Sequence, residues 1–104
     1  MYNALAAKLS VPVVKYVKEY DGEYPAIVYQ EISNAPAFFS DNLEILRRIT
    51  YQISIGTTDD NFYDLERAVE MTMSGLGFMR VESTEIFDKV YWREIKFSIL
   101  LGVN

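Results

Sequence analysis

Asp59, Asp60 and Asp64 form the densest group of chemistry-bearing side chains in this sequence. Clustered carboxylates can hold a divalent cation or divide acid and base roles across a cleft. The spacing supports neither use. A calcium loop sets oxygen ligands at alternating positions with a glycine at its tight turn, and this stretch has neither. Glycosidase-like chemistry needs two acids facing each other with pKa values pushed apart, and nothing marks such a pair. The aspartates fit better as the start of a helix, at the positive end of its dipole. From Asp59 to Glu70 five acids face Arg67 alone, so this stretch carries −4 of the net charge of −5. Gly75-Leu76-Gly77 lacks the glycine spacing of a phosphate loop and follows a helix rather than opening one, so it reads as a helix stop.

The sequence has no cysteine and no histidine. That excludes disulfides, zinc–thiolate and iron–sulfur sites and thiol catalysis, and removes the commonest general base and metal ligand. No enzyme activity, metal or cofactor is expected. With 104 residues, half of them hydrophobic and 24% charged, the chain matches one globular domain over 1–104. The acidic balance argues against broad binding to nucleic acid or anionic membrane. No stretch reaches the roughly 18 apolar residues that span a bilayer. MYNALAAKLSVPVVKYV lacks an early basic region and Lys8 interrupts it, so it makes a poor secretory signal and a cytoplasmic site of synthesis is expected.

The elements that must position these residues follow from periodicity. YNALAAKL favours a short helix, with Leu5 and Leu9 one turn apart, ended by Ser10 and Pro12. VVKYVKEY (13–20) reads as a strand, Asp21-Gly22 as a hairpin turn and YPAIVYQEI (24–32) as a second strand. SNAPAFFSDN (33–42) carries the turn chemistry of a loop. From Ile49 to Ile55, Ile49, Tyr51, Ile53 and Ile55 alternate with polar residues, the pattern of a half-buried strand that starts as early as Leu43. Phe62, Leu65, Val69, Met73 and Leu76 then make one helical stripe. MRVESTEIF is a weaker strand, and YWREIKFSILL a strong one with Tyr91, Ile95, Phe97, Ile99 and Leu101 on one face. The expected fold is therefore α+β: an antiparallel or mixed sheet of four to five strands, one long amphipathic helix packed on it and a short N-terminal helix.

Eight tyrosines, six phenylalanines and one tryptophan are many for so small a core. Phe38 and Phe39 in the polar segment, and Trp92 opposite the core face, are expected to stay exposed and to mark an interface. Arg47 and Arg48 are neighbours on one strand and point to opposite faces, as solvated charges or as subunit salt bridges. Sheet edges with unpaired backbone groups invite a second copy of the chain.

Read together, YPAIVYQEISNAPAFFSDNLEILRRITYQISIGTTDDNFYDLERAVEMTMSGLGFMR and the closing KVYWREIKFSILL resemble the small tail completion (tail terminator, head–tail joining) proteins of long-tailed bacteriophages and prophages. The order and spacing of the elements carry the likeness, from about Tyr2 to Leu101. The resemblance implies a structural virion protein, made in the host cytoplasm, that forms a ring, commonly a hexamer, at the head-proximal end of the tail. Its partners would be itself, the tail tube protein and the head connector or stopper, with DNA passing through the lumen without specific binding. Asp59, Asp60 and Asp64 would then line an acidic lumen that repels phosphates. The alternatives are another neck or connector component, a self-associating structural domain, or a small ligand-binding α+β domain.

Overall fold

The structure is a computed structural model that describes residues 2–8, 13–15, 24–40, 43–58, 63–88 and 90–102. Helix α1 (Tyr2–Lys8) and strand β1 (Val13–Lys15) precede two strands of 15 residues each, β2 (Ala26–Ser40) and β3 (Leu43–Thr57). Helix α2 (Tyr63–Gly75) follows, then β4 (Met79–Asp88) and β5 (Val90–Gly102). They form one sheet in the order β1-β2-β3-β5-β4. β1 runs parallel to β2, and every other pairing is antiparallel.

A domain organised around one long amphipathic helix is not what the chain forms. The protein is mostly sheet, and its helices have only 7 and 13 residues. The apolar stripe that suggested a longer helix outruns the helix itself: Leu76 lies beyond Gly75 and is 40% exposed, and Phe62 falls outside the described residues. What ends α2 is its backbone. The Phe78 N–H donates to the Met73 carbonyl at 3.0 Å and the Gly77 N–H to that of Ser74 at 3.0 Å, while Gly77 takes φ 97°. These two bonds satisfy carbonyls that the last turn would leave unpaired, in a left-handed geometry that glycine adopts without a Cβ penalty.

Meanwhile the sheet claims residues that read as a loop. β2 continues through Ser33–Ser40, Pro36 included. β1 pairs with β2 only at Ile27, Val28 and Tyr29, so among the described residues Pro36 has a strand on one side only, where its missing N–H matters least. Register shifts between Glu31 and Ser33, Pro36 and Phe38, and Phe38 and Phe39 absorb the remaining irregularity as bulges. Residues 16–20 and the Asp21-Gly22 turn lie outside the described residues. The parallel pairing of β1 with β2 is not the pairing a tight hairpin makes.

The core occupies one face at one end of the sheet. Ile27, Ile53, Ile55, Ile95 and Phe97 of β2, β3 and β5 meet Leu5 of α1 and Val69 and Met73 of α2. Tyr29, Tyr51, Leu65, Ala68, Phe78 and Tyr91 pack around them. On the opposite face Trp92 covers Gly56, its neighbour across the β3–β5 pair, and meets Tyr24 edge to face at 5.9 Å. A Cβ on Gly56 would come within 2.7 Å of the indole, so the ring can lie there only above glycine.

The substitution G56A should therefore lower the melting temperature by the equivalent of about 1–2 kcal/mol. Tryptophan emission should shift to the red as the indole is displaced. The loss should largely vanish in the W92L background if the contact described is its cause.

Candidate functional site

The helices cover only part of the sheet. Past Tyr51 and Phe97 the helix-side face carries on through Ile49, Ile99 and Leu101, with Leu101 43% exposed. Every residue from Glu31 to Ala37 is exposed. The outer part of β2, the first half of β3 and the end of β5 thus form an arm that projects from the helix-covered body. The molecule measures 51 × 25 × 20 Å and has a radius of gyration of 15.0 Å, against about 13 Å for a compact chain of this length.

The arm contains four of the five residues named from sequence as interface candidates. The backbones of Phe38 and Phe39 belong to β2, opposite Leu46 and Glu44; their side chains lie outside the described residues. Arg47 is opposite Pro36 and donates from Nη1 to Asn34 Oδ1 at 3.1 Å. Arg48 is exposed, between Ala35 and Leu100 on the face without helices. The expected split of the two arginines between faces is the observed arrangement. Trp92 stands apart from them, at the body end of the sheet. It is half-buried on Gly56, not a freely exposed ring, and its position serves packing first.

The aspartates divide differently. Asp64 is exposed in the first turn of α2, as a dipole-compensating residue should be. Asp59 and Asp60 lie outside the described residues. Among the described residues no group of three or more acidic side chains could hold a metal. The other acids of α2 are tied to the sheet: Glu70 accepts from Arg80 Nη1 at 2.7 Å, and Glu66 lies 3.5 Å from Arg93 Nε and 3.8 Å from Arg80 Nη2. These pairs fix the helix against β4 and β5.

On the helix-free face of the sheet, polar side chains bond to one another across β3, β5 and β4. Thr50 and Ser98 hydroxyls share a hydrogen bond of 3.2 Å, Gln52 Nε2 donates to Glu94 at 3.3 Å, and Lys96 pairs with Glu82 at 2.7 Å. These bonded groups need no apolar cover. β4 is different. It ends the sheet, and Met79 (73% exposed), Phe87 (65%), Val81 and Ile86 all meet solvent. Sequence reading passed over these four. The available signal was that apolar residues of MRVESTEIF fall on both parities, which no single core-facing strand requires.

No helix among the described residues is long and apolar enough to cross a membrane. Compared with known proteins, the chain matches no family model, and no curated protein matches it.

Tyr51 sits where body meets arm, edge to face with Phe78 at 5.9 Å and opposite Glu31. Burial raises its pKa above 10.0, and the charges of Glu31 and Tyr29 raise it further. The folded chain therefore holds this proton more tightly than the unfolded chain. Its contribution to stability is complete below pH 10 and is lost as pH rises through the folded-state value. A ¹³Cζ-tyrosine NMR titration should show the Tyr51 ring titrating above the ordinary phenol. E31Q should move that ring down toward it.

Proposed function

We propose that this chain is a structural protein of a bacteriophage virion, forming a ring at the head-proximal end of a long tail. There it ends polymerisation of the tail tube and joins the tube to the head connector. The arm is the observation that carries this reading. A strand-built extension with little cover among the described residues has a use where a neighbouring subunit or the tube wall supplies cover. The order and spacing of the sequence elements support the same reading, as does the absence of cysteine and histidine from the chain.

On this reading the chain performs no catalysis. Its partners are further copies of itself, the tube protein and the connector, and DNA passes through the lumen without being held. The exposed carboxylate of Asp64, with Asp59 and Asp60 beside it in sequence, would repel phosphates if that end of α2 faces the channel.

Electron micrographs of particles from a phage or prophage lacking this gene test the assignment. The expected particles have tails of irregular length and full heads without firmly attached tails. Tails of normal length on full heads would overturn it. Neutralising Asp59, Asp60 and Asp64 together should slow DNA ejection while leaving particle yield unchanged, read as genome release over time.

A further inference from the structure

Two rims of the sheet have no strand beside them among the described residues. β4 ends the sheet on one side. On the other, the described part of β1 reaches only Tyr29, so among the described residues no strand lies along the outer edge of β2 from Gln30 onward, where every residue from Glu31 to Ala37 is exposed. We propose that these rims bind each other between copies of this chain, with β4 of one copy added to the open stretch of β2 in the next. The inference rests on the ring reading and names the contact that would close it.

Strand direction supports the pairing. β4 is antiparallel to β5, β5 to β3 and β3 to β2, so β4 runs opposite to β2. Rotation about an axis along the strands preserves direction, so it brings β4 to β2 as an antiparallel pair, the slightly more stable kind of ladder. The contact uses different surfaces on the two partners, as ring closure by rotation requires. Thr84, in the middle of β4, is level with Val28 through Glu94 and Ser54, whereas the open part of β2 centres near Ala35, seven residues further on. A rise of that size over the width of this sheet corresponds to strands tilted by about 45°, within the range of closed sheets. The bulges at Ile32 and Val81 add the local twist such a tilt needs.

Charge and apolar surface match as well. Arg48 stands on the helix-free face behind Ala35, a side chain small enough to let the guanidinium reach over the rim. Glu82 lies on the same face of β4, half exposed, with Lys96 on its inner side at 2.7 Å. Joining the rims places Arg48 on the outer side of that carboxylate. Ile32 from one rim and Met79 and Ile86 from the other are exposed, and all lie within the joined strands.

The native chain has no cysteine, so a cysteine pair reports this contact cleanly. The full chain carrying A35C and T84C, treated at high concentration with a short bis-maleimide, should give a ladder of covalent oligomers. Each single variant alone should stop at monomer. R48E should reduce cross-linking about tenfold, and R48E with E82R should recover it. Circular dichroism of each variant checks that it folds. Folded double-cysteine protein that stays monomeric under these conditions, or that links no better than the singles, overturns the inference. If the micrographs of gene-deleted phage still show defective tails, the ring reading survives that result. If cross-linking succeeds but those tails are normal, rim pairing stands and the tail assignment falls.

Discussion

An α-helix advances about 1.5 Å per residue and a β-strand about 3.3 Å. The 13 residues of α2 therefore cover about 20 Å, while the 15 residues of β2 or β3 reach about 50 Å. No placement of one such helix can roof strands of that length. The core has to stop near Tyr51 and Phe97, and all that lies past them must tolerate water or find cover elsewhere. The backbone bonds that end α2 at Gly77 make this mismatch permanent, because they turn the chain directly into β4 and bring Phe78 onto the core.

The two faces of the sheet respond to that limit in different ways. The face beneath the helices is apolar at its centre, carries Arg80 and Arg93 tied to α2 toward β4, and passes to half-buried Ile49 and Ile99 where the helices end. The other face is built from hydroxyl, amide and charged side chains that bond to one another across strands, so it stays wetted at little cost. Its largest apolar group, Trp92, is set down on Gly56 and meets Tyr24 edge to face. Unsatisfied demand is thus concentrated at the rims, where backbone groups and the apolar residues of β4 lie together.

The alternation from Ile49 to Ile55 was legible because apolar residues on one side, buried at Ile53 and Ile55 and half-buried at Ile49 and Tyr51, alternate with Thr50, Gln52 and Ser54 on the other. The four-residue spacing of Leu65, Val69 and Met73 was legible as a helical stripe, and these three do pack on the core. The helix stop was legible in Gly75-Leu76-Gly77, where α2 does end, but the apolar stripe ran past it, since Leu76 fits the stripe and lies beyond Gly75, 40% exposed. The segment 33–40 misled more deeply. Asn34, Pro36 and Ser40 are turn residues by chemistry, and only the presence of β3 alongside and the bulges between them make a strand of it. Interface candidates chosen for bulk or charge fell mostly in the arm, whereas the apolar rim of β4 carried no local pattern by which to find it.

β3 lies at the centre of the sheet, bonded along nearly its whole length to β2 on one side and β5 on the other. These bonds run across the strand direction. Tension applied along the strands loads both ladders in shear, all together, whereas tension across them would peel one bond after another. The molecule is consequently stiff lengthwise and weak sideways. A load carried through this sheet is therefore borne best with β3 aligned to the line of force.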